Sequence, residues 1–144
     1  MIIDYKNKLV FIANSKSAST SIEESLMKFS YCGHIGGCPS LKHMSFKTFQ
    51  EIKKPLGIEK FITWCLVRNP IEKLVSWYNY RSRKSIKDTE RYTGDKTFLE
   101  FLNSLSSKNI HEYHDVSNIH DNNNNAVDIV FDYSNTSELQ KFLR

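Results

Sequence analysis

The sequence has no apolar run near the roughly 18 residues that a bilayer-spanning helix needs. Its first ten residues mix Asp4, Lys6 and Lys8 with apolar ones, so the opening does not read as a secretory leader. Cysteine is scarce and odd in number: of Cys32, Cys38 and Cys65, the last sits inside an apolar run. That excludes a disulfide framework and makes a reducing cytoplasm the expected setting. With 5 glycines and 3 prolines the chain is neither collagen-like nor of low complexity. A net charge of +4, spread along the chain, is too mild to call for a nucleic-acid partner, though it favours an anionic ligand. The length of 144 residues predicts one domain, 1–144, with a single sizeable core.

What is present is an alternation of strands and helices. Leu9 to Ala13 is a short apolar run that reads as a buried strand. It enters the small, polar stretch from Asn14 to Ser21, after which Ile22, Leu26 and Phe29 recur at helical spacing, opening a helix near Thr20. The glycine-containing segment from Tyr31 to Ser40 reads as loop or a short edge strand, and Ser45 to Ile52 as a short helix ending before Pro55. Phe61 to Val67 is almost wholly apolar, as for a central parallel strand covered on both faces. Asn69 suits an N-cap and Pro70 the first helical position, and Ile71, Leu74, Val75 and Tyr78 are expected to form the apolar face of that helix.

The charged stretch from Arg81 to Asp95 reads as a mobile surface connection, and Thr97-x-x-Glu100 as a capping box for another helix. Ser106 to Asn125, with His111, His114 and His120, reads as an irregular loop. Val127 to Tyr133 is expected to be a strand and Asn135-x-x-Glu138 the cap of a last helix. This order predicts an α/β fold with a central parallel sheet flanked by helices.

Two segments carry candidate chemistry. The loop from Ser15 to Ser21 lies between a strand and a helix N-terminus, where unpaired amides and the helix dipole suit a phosphate. Lys16 adds a full charge, and Ser17, Ser19, Thr20 and Ser21 add hydroxyl donors around Ala18. The loop has no glycine and its lysine comes early, so it is not a Walker A loop. Thr20-x-x-Glu23 and Ser21-x-x-Glu24 are also capping boxes, which would satisfy the same helix end without any ligand. The second segment runs from Val67 to Tyr78. It places Arg68 at the end of a buried strand, where ligands bind in open α/β sheets and where a planar guanidinium suits a phosphate. The bland alternative pairs Arg68 with a nearby acid and leaves Ser76 a bystander.

Taken together the two segments resemble the PAPS-dependent sulfotransferases, PAPS being 3′-phosphoadenosine-5′-phosphosulfate. That family has a P-K-[TS]-[GA]-[GST]-[TS]-[ST] loop and a V-R-[DN]-P-x-x-[RK]-x-x-S segment. Here they read Ser15-Lys16-Ser17-Ala18-Ser19-Thr20-Ser21, with serine for the usual proline, and Val67-Arg68-Asn69-Pro70-Ile71-Glu72-Lys73-Leu74-Val75-Ser76. The V-R-N-P and S-W-Y-N wording is similar to the carbohydrate-type branch, and Val127 to Asn135 resembles a later family strand with its "E-N-L" turn. The resemblance implies a three-layer P-loop-like fold over one sulfotransferase-like nucleotide-binding domain. It implies PAPS as co-substrate, with Lys16, Ser17, Ala18, Ser19, Thr20 and Ser21 at its 5′-phosphosulfate and Arg68 and Ser76 at its 3′-phosphate. It also implies a carbohydrate or other small-molecule acceptor carrying a hydroxyl or amine, and no metal. Lys16 would stabilise the leaving group. His43, in the place where carbohydrate-type members carry a histidine, would be the base, with Glu23 and Glu24 as alternatives. The expected helix after His43 would keep its imidazole neutral.

The chain stops soon after its last strand and helix, which fits a minimal enzyme, a C-terminally truncated piece or a relative without turnover. Three rival readings follow from the residues. Cys32, His34, Cys38 and His43 have zinc-ligand chemistry at a spacing that fits no common pattern. A P-loop-like kinase would need magnesium and a carboxylate. A binding module would keep the nucleotide without catalysis.

Overall fold

The computed structural model describes residues 1–105, 113 and 115–143. His111 and His114 lie outside them. The chain divides into two compact units, 1–68 with 116–144, and 69–115.

The first unit is built on a five-stranded sheet: β1 (Ile2–Asp4), β2 (Leu9–Ile12), β3 (Cys32–His34), β4 (Ile62–Val67) and β5 (Ile129–Asp132), in the order β3-β1-β2-β4-β5. β2, β4 and β5 run parallel, with Ile12 opposite Cys65 and Val67 opposite Asp132. β1 pairs antiparallel with both β2 and β3. The sheet is therefore mixed rather than wholly parallel. The sequence reading missed β1 because Ile2 to Asp4 is too short to show a period. A tight reversal makes the strand: the Asp4 carboxylate accepts from the backbone and side-chain nitrogens of Asn7 at 2.9 and 2.8 Å, and Lys8 takes a left-handed φ of 56°.

Alternate side chains feed a core on each face of the sheet, as the period of two requires. Ile3, Val10, Ile12 and Cys65 pack with Met44, Phe46 and Phe49 on one face, where α3 (Phe46–Ile52) and α6 (Val116–Ile119) lie. Ile2, Phe11, Trp64 and Leu66 pack on the other with Ile22 of α1 (Ser19–Leu26) and Leu139 of α7 (Thr136–Phe142). Phe29 falls beyond the end of α1 and is exposed. Within Tyr31 to Ser40, read as loop or a short edge strand, β3 is that edge strand, and a four-residue helix, α2 (Pro39–Lys42), begins at its far end. Another short helix, α6, stands in the stretch expected to be irregular.

The second unit holds α4 (Pro70–Arg81) and α5 (Phe98–Asn103). Asn69 caps α4 through its side chain, Pro70 opens it, and the Thr97–Glu100 capping box closes both of its bonds. The expected apolar face of α4 is only half covered: Ile71 is 70% exposed and Val75 40%, while Leu74 and Tyr78 are half-buried and Tyr78 packs on Phe98 and Phe101. The fully buried residue is Lys73, whose ammonium pairs with Asp115. Arg81 stacks against Trp77 and Tyr113 and donates to the Tyr113 hydroxyl at 2.6 Å. The charged stretch after α4 forms a short 3-10 turn, Lys84–Ile86, and Thr93 within it is buried.

Candidate active site

The carboxyl ends of β2 and β4 carry both sequence-predicted segments. Asn14, 1% exposed, leaves β2 and donates through Nδ2 to the Leu66 carbonyl at 2.8 Å, tying the two strand ends together. Its buried Oδ1 accepts no hydrogen bond among the described residues. From there the chain turns through left-handed Lys16 (φ 61°) and left-handed Ala18 (φ 56°), with the sign of φ alternating along the loop. Each such residue costs of order 1–3 kcal/mol, and alternation of this kind turns successive amides toward one concavity suited to an anion. Without glycine, lysine and alanine bear a conformation that glycine would adopt freely.

Ala18 is also the N-cap of α1 and has no side-chain oxygen, so α1 begins without a side-chain cap. Neither capping box forms. Glu23 is buried and turned instead to the Met1 amino group and the Lys42 ammonium, both at 3.1 Å. Both Glu23 carboxylate oxygens are thereby engaged, while Glu24 is exposed. Ser17 and Ser19 are buried, with the Ser17 hydroxyl donating weakly to the Ser15 carbonyl at 3.5 Å. Thr20 and Ser21 face solvent in the first turn of α1.

Arg68, half-buried at the end of β4, donates through Nη1 to the Lys16 carbonyl at 3.3 Å. Its guanidinium lies 4.5 Å from the centre of the Tyr133 ring, just past β5. The two segments, 52 residues apart in sequence, thus meet at one strand end. The sequence reading treated Tyr133 only as strand. The signal that would have found it is its place after a parallel strand beside the one that ends at Arg68. Ser76 stands midway along α4, half-buried, in the second unit.

His43 is the C-cap of α2, and its Nδ1 lies 2.7 Å from the Ala13 carbonyl. A carbonyl only accepts, so Nδ1 carries the proton and the neutral ring keeps its lone pair on Nε2. Burial pushes the imidazole below its ordinary value and the Lys42 charge adds to this, against smaller upward pulls from the Ala13 bond and Glu23. Burial is thus the largest cause of this shift. The zinc reading finds no support. Cys38 contacts Ser40, and among the described residues no three His, Cys, Asp or Glu side chains gather to hold a metal.

A groove of about 480 Å³ lies elsewhere in this unit, lined by Phe46, Lys53, Lys60, Thr63 and Asp128 among others. It opens at the amino ends of the parallel strands, the opposite end from Lys16 and Arg68, and holds none of the candidate residues.

A helix without a side-chain cap, an alternating loop and an arginine thus stand together at the carboxyl ends of parallel strands in an α/β protein, the place where ligands bind in open sheets of this class. The family follows from comparison: the model of the sulfotransferase family matches residues 1–138, and the chain belongs to that family. No curated protein and no solved structure matches it. Membership makes the chain a transferase acting by sulfuryl transfer on an acceptor. No helix among the described residues is long and apolar enough to cross a membrane.

Proposed function

We propose that this protein transfers the sulfuryl group of PAPS to a hydroxyl or amine of an acceptor, with a carbohydrate as the favoured class. The observation that carries the reading is the meeting of Arg68 with the Lys16 loop beside an α1 that has no side-chain cap. The parallel β2–β4–β5 triplet, with its loop directly after β2, supports a P-loop-like fold in which 1–144 acts as one nucleotide-binding domain. The odd cysteine count supports a cytoplasmic setting.

The residues fit the co-substrate. The amides from Ser17 to Ser21 and the hydroxyls of Ser19, Thr20 and Ser21 hold the 5′-phosphate, while Arg68, braced by Tyr133, holds the 3′-phosphate. His43 takes the proton of the attacking hydroxyl at Nε2 as the new S–O bond forms. Lys16 meets the charge left on the bridging oxygen as the old S–O bond breaks, releasing 3′-phosphoadenosine-5′-phosphate. Positioning and fixed charge supply the rate, as in phosphoryl transfer.

The test is a thermal-shift titration with 3′-phosphoadenosine-5′-phosphate beside ADP and ATP, with and without magnesium. A ligand at a hundredfold excess over Kd adds about 2.7 kcal/mol of stability. The reading expects a shift with the 3′-phosphorylated nucleotide, indifferent to magnesium. A larger shift with magnesium and ATP would replace it with a kinase, and binding without turnover on any acceptor would leave a nucleotide-binding module.

A further inference from the structure

Neither motif includes Lys42, yet its side chain joins the two functional ends of the site. It is the last residue of α2, directly before His43, and its ammonium reaches across to α1. There Nζ donates to Thr20 Oγ1 at 2.9 Å and stands 3.1 Å from Glu23 Oε2. We propose that Lys42 is a positioning residue that ties the base to the anion loop, holding the Thr20 hydroxyl as a donor toward the bound anion and fixing the place of His43. The kinetic part of this rests on the sulfuryl-transfer reading, but the contact between the two elements does not.

The chemistry of the contact gives it direction. An ammonium only donates, so the Thr20 oxygen serves Lys42 as an acceptor and its own proton turns to another acceptor. At the second residue of a helix with no side-chain cap, an anionic oxygen fits that role, since the helix dipole favours it too. Without Lys42 the hydroxyl is free to rotate, and the donor is no longer set in advance.

The same charge acts on His43. The groups that face this imidazole are Lys42 on α2, Glu23 on α1 and the Met1 amino group before β1. His34 on β3 joins the cluster through Glu23, 3.8 Å from its Oε1. Lys42 and the Met1 amine disfavour the imidazolium, whereas Glu23 favours it. Removing Lys42 deletes a repulsion and unmasks an attraction, so both changes move His43 the same way, toward protonation. The base then holds a proton over a wider pH range, and the acidic limb of kcat moves up in pH.

Four variants decide the matter: Lys42→Met, Lys42→Arg, Lys42→Met combined with Glu23→Gln, and Lys42→Met combined with Thr20→Val. The imidazole titration of His43 is followed by NMR, which needs no donor, and affinity for 3′-phosphoadenosine-5′-phosphate by calorimetry. In Lys42→Met the His43 midpoint should rise and affinity should fall roughly tenfold, as for a lost charge-assisted bond. Lys42→Arg should preserve both, and the double variant should bring the midpoint back toward the wild type. Thr20→Val should cost little further affinity in the Lys42→Met background, which a purely structural role for Lys42 would not produce. A midpoint that stays put in a folded Lys42→Met protein, with affinity unaltered, overturns the proposal. If the wild type binds no 3′-phosphoadenosine-5′-phosphate, the proposed function falls, and the midpoints still decide whether Lys42 governs His43.

Discussion

At the amino ends of the parallel strands in the first unit the polar side chains close on one another, whereas at the carboxyl ends one buried polar atom and one helix start are left without a side-chain partner. Thr63 donates from both its amide and its hydroxyl to one Asp128 oxygen, at 2.7 and 2.6 Å, and the Asp128 amide returns a bond to the Thr63 hydroxyl at 3.0 Å. Beside them Asp121 accepts from the Asn123 and Asn125 amides and closes its own loop. At the other end, Asn14 Oδ1 is buried without a partner among the described residues, and α1 starts without a side-chain cap. The amino end has a groove of about 480 Å³, yet the proposed chemistry sits at the carboxyl end. Left-handed backbone occurs at both ends, at Lys8 and Asn124 as well as at Lys16 and Ala18. What sets the carboxyl end apart is its unmet polar atom and its helix start without a side-chain cap.

The contrast can be broken by variants at either end. The largest effect belongs to Lys16→Ala, which should lower kcat by about 10²–10³ through loss of leaving-group stabilisation. Turnover equal to the wild type in a steady-state assay would remove Lys16 from the mechanism. Next comes Asp128→Ala at the closed end, which leaves the buried Thr63 donors unsatisfied and should cost about 1–3 kcal/mol in urea unfolding. Its nucleotide affinity should stay at the wild-type value, and a drop there would mean that the two ends are not independent. The smallest belongs to Tyr133→Leu, which takes the aromatic face from under Arg68. It should weaken binding of 3′-phosphoadenosine-5′-phosphate by a factor of about two to thirty, the worth of a cation–π contact, with little change in unfolding. Tight binding that survives this change would mean that the Tyr133 ring does not hold Arg68 in place.

Much of this was legible in the sequence because it depends on local rules. The apolar runs at 9–13 and 61–67 are strands, Asn69 and Pro70 open α4, and Thr97 with Glu100 caps α5. Local rules failed where tertiary contacts outweigh them. The Thr20–Glu23 pair has the wording of a capping box, but Glu23 gains more from two ammonium groups in a buried place than from its own helix end. Ile71, Leu74, Val75 and Tyr78 trace an apolar stripe, yet α4 buries Lys73, because Asp115 supplies a partner that no period in the sequence can announce. In the V-R-N-P segment, Lys73 therefore reads as structural, held in an ion pair that is costly to break from one side alone.

By itself the sequence determined the alternation of strands and helices, the order of the two segments and the family to which they belong, since these rest on residue type and spacing along the chain. Tertiary structure alone decided that β1 and β3 add antiparallel edges to the sheet, that Arg68 leans on Tyr133 and reaches Lys16, and that Lys42 bridges Thr20 and Glu23. The reason is range. A cap or a period is fixed by residues three or four apart, while a guanidinium or an ammonium takes the partner that the folded chain brings within about 3 Å.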